Sequence, residues 1–330
     1  MFRRIATVIA VLASAFVVPA SASAQVGMTG PRWPDAVSGV TADRYPEGVT
    51  WDPVRQAFLV GSVATGRVDV VDRNGHARVL VQQPPGVSTF GLHVDAARNR
   101  LLVTYADIGN GERSSPATTF VQSGVAIYNL RTGRLQRRID LNTPRLNPAG
   151  GKHGANDLAL DSTGNAYVTD PAADAIYRIT PDGKGSVFVR DARLQGETIG
   201  MNGIVWDPAG YLLAVQYDSG RLFRVALHGQ PRISEVKLAH PLVGGDGLAF
   251  TADRRLVVVT NALAGAGRNA VSVLRSTDDY RTAQVVIAQP WPFAGPTTVA
   301  LTPGGGYVLS GRLDVLIGGG QSDEFDLHRF

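Results

Sequence analysis

A short motif recurs six times, and this constrains the chain more than any other feature. A small or polar residue is followed by two or three apolar residues and often by Asp-Pro or a glycine turn. The openings are Glu47-Gly-Val-Thr-Trp-Asp52, Phe90-Gly-Leu-His-Val-Asp95, Asn156-Asp-Leu-Ala-Leu-Asp161, Asn202-Gly-Ile-Val-Trp-Asp207, Asp246-Gly-Leu-Ala-Phe-Thr251 and Thr297-Thr-Val-Ala-Leu-Thr302, at spacings of 43, 66, 46, 44 and 51 residues. Each opening precedes further short apolar runs, such as 58–62, 67–71, 166–170 and 256–261. The runs are separated by turns rich in Gly, Asn and Asp, for example Asp72-Arg-Asn-Gly75. No sustained 3.6-residue period appears after the N-terminus. Six units of four short strands predict an all-β, six-bladed β-propeller, because one such sheet cannot bury both its faces and six packed radially can. Two stacked β-sandwich domains are the competing architecture, and a period spanning the whole chain disfavours them. Ring closure is expected from the segment before Glu47, pairing into a last blade completed by 314–317 and 324–330.

The N-terminus is a separate object. Met1-Phe-Arg-Arg4 is basic, 5–18 is apolar, and Ala22-Ser-Ala24 is a small-x-small cleavage pattern. This predicts a cleaved signal peptide over 1–24, a single propeller domain over 25–330, and a periplasmic or secreted protein. The apolar run is shorter than the ~20 residues of a spanning helix, so no membrane association is expected after cleavage. There is no cysteine, and hence neither a disulfide framework nor a lipidated thiol. The net charge of +4 falls towards neutrality once Arg3 and Arg4 leave with the signal. The remaining charges are scattered, with no basic stripe interleaved with aromatics, which excludes a nucleic-acid partner. The expected partner is a small-molecule substrate, and no obligatory protein partner is inferred.

Propeller geometry gives the recurring position a meaning. The first strand of each blade is innermost, so Glu47, Phe90, Asn156, Asn202, Asp246 and Thr297 form a ring at one mouth of the central channel. Glu47, Asn156, Asn202 and Asp246 are hard oxygen donors carrying two negative charges, a set suited to Ca2+, with another divalent cation possible. Without cysteine or an H-E-x-x-H pattern, a dedicated zinc site is disfavoured. Asn and Asp are also common turn residues, which is the plainer account of any one of them. Four in one register, with two carboxylates facing one channel, favour a cation between them.

These residues carry a family resemblance. Pro46-Glu-Gly-Val49, Asn156-Asp157, Met201-Asn-Gly203 and Asp246-Gly-Leu248 resemble the senescence-marker protein / gluconolactonase / luciferin-regenerating-enzyme family, from about residue 40 to the C-terminus. Diisopropyl fluorophosphatase has a related propeller. The resemblance implies a six-bladed propeller with a divalent cation, usually Ca2+, in the channel, and hydrolysis of sugar lactones, other lactones or organophosphates. By position it implies Glu47, Asn202 and Asp246 as core ligands, Asn156 as a ligand or as a water or substrate contact, and Asp157 as a polar neighbour of substrate. A cation polarises a carbonyl and acidifies bound water, and hydrolysis then needs a base or nucleophile beside it. Asp246 is the preferred base or nucleophile, and Asp157 an orienting residue. No G-x-S-x-G elbow supports a serine hydrolase. Two alternatives stand: a non-catalytic propeller with a structural cation that binds a protein or small molecule, and a strictosidine-synthase-like propeller, which the retained oxygen set disfavours.

Ends of second strands place Ser62, Tyr105, Asp170, Tyr217, Asn261 and Arg312 near the same rim as candidate pocket residues, together with Phe90. His93 is either a channel residue or, more commonly for a lone histidine, a hydrogen-bonded core residue. His153 either approaches the site or is solvated. Two insertions, 106–123 and 142–155, are expected on the metal face as a lid, a specificity element or surface decoration.

Overall fold

Alternation within strands decides how the blades pack. In the strand Leu256–Thr260, Leu256 and Val258 point to one side of the sheet, Val257 and Val259 to the other. Repeated in every blade, this gives six apolar clusters, one at each junction between neighbouring blades. The core is therefore a ring of inter-blade layers. A computed structural model describes residues 33–40, 45–82, 86–265 and 267–330. The expected signal peptide lies outside the described residues.

Six four-stranded antiparallel sheets form the propeller. Blade 1 runs through Val49–Asp52, Ala57–Val60, Val68–Val71 and Ala77–Val81, and blades 2 to 5 repeat the order. The inner strands are almost wholly buried, while the outermost strand of blade 5, Gln284–Pro290, is exposed along its length. The aspartates ending several first strands shape the hairpin turns. Asp52 Oδ1 accepts the Val54 amide at 2.8 Å, Asp161 Oδ1 that of Thr163 at 2.9 Å and Asp207 Oδ1 that of Ala209 at 2.8 Å.

Blade 6 closes the ring. Its order from the axis is Pro296–Thr302, Gly305–Ser310, Glu324–Arg329 and then Ala36–Val40, which pairs antiparallel with Glu324–Arg329. Closure by a strand from before Glu47 agrees with expectation. The expected strand at 314–317 is instead a short helix, Leu313–Ile317. Arg312 precedes it in the left-handed region (φ 58°), and Leu313 and Leu316 bury against an apolar cluster. That burial outweighs the strand-like sequence.

Candidate active site

The ring residues stand where first strands are deliberately irregular. Register slips occur at Thr89/Leu92, Met201/Ile204, Gly245/Leu248 and Pro296/Val299, so Phe90, Asn202, Asp246 and Thr297 each lie in a bulge. A bulge releases a residue from strict alternation and re-aims its side chain. The glycines that follow allow adjacent first strands to touch near the axis. A Cβ on Gly48 would lie 1.8 Å from the Phe90 carbonyl oxygen, and one on Gly203 only 1.9 Å from that of Asp246.

First strands of all six blades line a cavity of about 550 Å3, within the range of small-molecule sites. At one end stand Glu47, Asn156, Asp157, Asn202 and Asp246. Glu47, Asn202 and Asp246 are buried and Asn156 and Asp157 half-buried. Burial pushes Glu47 well above the usual carboxylate range, and the charges of Asp246 and Asp157 push it further. Burial also raises Asp246, against the hydrogen bond from Asn261, and Asp157 adds to the rise. Asp157 is lifted to about 6 by burial, opposed by its two backbone hydrogen bonds. Three carboxyl groups are thus close enough to disfavour each other's ionisation.

The side chains are held differently. Asp157 Oδ1 accepts the Leu158 amide at 2.8 Å, and its Oδ2 accepts that of Ile204 at 3.2 Å, tying blade 3 to blade 4. Asp246 Oδ2 accepts from Asn261 Nδ2 at 2.6 Å, and Asn261 Oδ1 accepts from the Tyr217 hydroxyl at 2.6 Å. Asn202 Oδ1 is buried with no hydrogen-bond partner. Among the described residues no group of three His, Cys, Asp or Glu side chains has metal-holding geometry. The donors here are instead carboxylates mixed with amides. An orphaned amide oxygen beside carboxyl groups held above their usual range suits a hard cation, so the residues fit the implied group.

The other two ring positions make internal contacts. Thr297 donates its hydroxyl to the Glu47 carbonyl at 2.6 Å, stitching blade 6 to blade 1. Phe90 joins an apolar cluster with Tyr45, Val63, Ala64, Ala106 and Leu313.

The rim candidates separate. Tyr105, Asp170, Tyr217, Asn261 and Arg312 do not line the cavity. Tyr105 packs between blades 1 and 2, beneath the Arg138 guanidinium. Tyr217 and Asn261 stand behind Asp246 and orient it. Arg312 pairs with Asp326 at 3.1 Å. Ser62 builds its own turn, accepting the Thr65 amide at 3.0 Å. Asp170 and His153 form a buried pair at 2.7 Å, with Asp170 Oδ1 also accepting the Gly154 amide at 2.9 Å. His153 is therefore neither solvated nor at the channel; it anchors the loop leading to Asn156. Of the two readings of His93 the channel one fits, since it lines the cavity, and burial lowers its imidazole to about 4. The two insertions contact each other, the His153 amide donating to the Phe120 carbonyl at 2.9 Å, and neither lines the cavity below Asn156. Sequence reasoning missed the packing of Leu263, Val315 and Leu316 against the cluster around the ring residue Phe90. Only the apolar character of 313–317 pointed to it.

No family model and no curated protein matches the chain. Solved structures do. The Malassezia sympodialis allergen Mala s 1 is similar over 90% of this chain and 96% of its own, at 21% identity and a TM-score of 0.71. A gluconolactonase from Xanthomonas campestris matches over 90% of each chain at 17% identity and a TM-score of 0.60. The calcium-binding protein regucalcin from Agrobacterium tumefaciens matches over 88% of this chain and 94% of its own, at 16% identity and a TM-score of 0.57. At these identities the likeness is one of fold. The chain shares the six-bladed propeller of structures that include a gluconolactonase, a luciferin-regenerating enzyme, regucalcin and Mala s 1, the fold its own motifs imply.

Proposed function

We propose that the chain is an exported, divalent-cation-dependent hydrolase of the lactonase or esterase type acting on a small molecule. One observation carries the reading. Glu47, Asp157 and Asp246 meet at one end of a ligand-sized cavity beside the unpartnered Asn202 Oδ1. Glu47, Asn156, Asn202 and Asp246 would hold the cation, with Ca2+ favoured by the all-oxygen set. When bound, it would polarise the scissile carbonyl and acidify water. The calcium-binding regucalcin and the gluconolactonase among the similar structures support the same assignment.

The chain's own groups supply the rest. Asn261, itself held by Tyr217, orients the Asp246 carboxylate. Asp246 takes a proton from the attacking water as the water oxygen bonds to the acyl carbon. The acyl C–O bond then breaks and the departing oxygen takes up a proton, leaving an acid and an alcohol, joined as one hydroxy acid when the substrate is a lactone. Asp157, fixed by two backbone amides, orients the reacting group. Elemental analysis of the purified mature chain, with a lactone and aryl-ester screen with and without chelator, tests the reading. Chelator-sensitive hydrolysis that D246N abolishes without unfolding is expected. If no divalent cation copurifies or rebinds, the assignment fails. Cation binding without turnover favours a binding propeller. Export is tested by N-terminal sequencing of the secreted or periplasmic chain, which should begin at Gln25.

A further inference from the structure

The two ends of the cavity differ in kind. At the carboxylate end the ring lies beside an apolar cluster. Phe90, Tyr45, Val63, Ala64, Ala106 and Leu313 are buried there, with Ile108, Leu263, Val315 and Leu316 packed against them. These come from strand ends, loops and the short helix of four consecutive blades, 5, 6, 1 and 2, so the cluster lies along one side of that mouth, and none of them lines the cavity. From the ring the cavity runs along the first strands towards their C-terminal ends. It passes Thr50, His93 and Val205 and ends at Leu160, Trp206, Phe250 and Leu301, all half-buried, beside the exposed Pro53. The only titratable side chain along this stretch, among the described residues that line it, is His93. Burial holds its imidazole neutral above pH of about 4, so it serves as a polar contact without charge.

We propose that substrate enters from the face opposite the carboxylate ring, and that the substrate class is a carboxylic ester or lactone bearing an extended apolar acyl or aryl group rather than a polyhydroxylated sugar lactone. The tail would lie along Val205, Trp206, Phe250 and Leu301, and the ester group would reach the half-buried Asn156 and Asp157, which line the cavity. Beyond the ring the lining side chains are apolar or indole apart from Thr50, His93 and Thr298, so an alkyl chain gains along this wall, whereas a sugar lactone would strip water from several hydroxyls with few side chains to replace it. This choice of substrate class rests on the hydrolase reading, but the entry route does not.

Binding is therefore measured apart from turnover. Straight-chain N-alkyl acetamides, which resist hydrolysis, are titrated into the full mature chain loaded with Ca2+, reading tryptophan fluorescence. Affinity should rise about threefold per added methylene until the cavity is filled. A249F and V205F, two independent obstructions between the ring and the lower mouth, should each weaken the long-chain amide at least tenfold while Ca2+ binding persists. L316A, on the apolar cluster beside the ring, should leave amide affinity unchanged. In parallel, kcat/KM for p-nitrophenyl esters should rise from acetate to octanoate and exceed that for gluconolactone. Amide affinity independent of chain length, or sensitive to L316A but to neither obstruction, overturns the entry route. Chain-length-dependent binding with no hydrolysis of any ester or lactone leaves the entry route standing and removes the hydrolase reading. Preference for the sugar lactone with the obstructions inert overturns the substrate class.

Discussion

Neutralising Asp157 should change how the cation-free protein responds to pH. Burial lifts its carboxyl from 3.8 to about 6 in the fold. Below pH 3.8 the group is protonated folded and unfolded, and stability is whole. Between there and about 6 the unfolded chain ionises first, the native state holds the extra proton, and stability falls as pH rises. Above 6 the loss is complete, at roughly 3 kcal/mol for a shift of about two units. Glu47 and Asp246 are raised as well, and part of each rise comes from the charge on Asp157. Their losses add in the same direction and shrink when Asp157 is neutral. D157N keeps an oxygen that can accept the Leu158 or Ile204 amide but carries no charge. Urea unfolding followed by tryptophan fluorescence at pH 4, 5, 6 and 7, in chelator, gives the free energies by linear extrapolation. Wild type should lose about 3 kcal/mol relative to D157N between pH 4 and 7. Parallel profiles for the two proteins would refute the buried-carboxylate account. Saturating Ca2+ should flatten the wild-type profile, since a dication in the ring favours the ionised forms.

The residues behind the ring should also matter. N261A leaves Asp246 Oδ2 without its amide donor and should weaken Ca2+ binding on the order of tenfold by calorimetry, with little effect on the fold. G203A forces a methyl against the Asp246 carbonyl; it should destabilise the chain by about 2 kcal/mol in the same unfolding assay and reduce cation affinity by shifting the ring. D170N replaces one partner of the buried His153–Asp170 pair and should cost about 2 kcal/mol, lowering the thermal midpoint and loosening the 142–155 loop in amide exchange.

Much of the architecture is legible along the chain because a propeller is a local fold repeated. Each blade is a meander of neighbouring strands, so spacing, turn chemistry and alternation carry nearly everything needed to place it. The ring register was readable for the same reason: Glu47, Asn202 and Asp246 occupy equivalent steps of equivalent strands, and all three line one end of the cavity. Closure through a strand preceding Glu47 followed from the need to satisfy the last sheet's edge.

What depends on contacts between blades was not legible. Being near the end of a second strand does not say which side of the sheet a residue faces, so Tyr105 enters an inter-blade layer while Asn261 reaches round to Asp246. His93 stayed open between a channel and a core residue, because periodicity cannot distinguish a packed interior from the wall of a channel. Residues 313–317 became a helix because burial against loops of distant blades outweighs local pattern. That helix packs with Leu263 and Tyr45 beside one mouth, while the cavity runs to the exposed Pro53 at the other. The six-fold register and its ring of oxygens are properties of the linear repeat. The surroundings of each end of the channel, and therefore the chemistry of what can enter, are decided only when segments of several blades pack together around the axis.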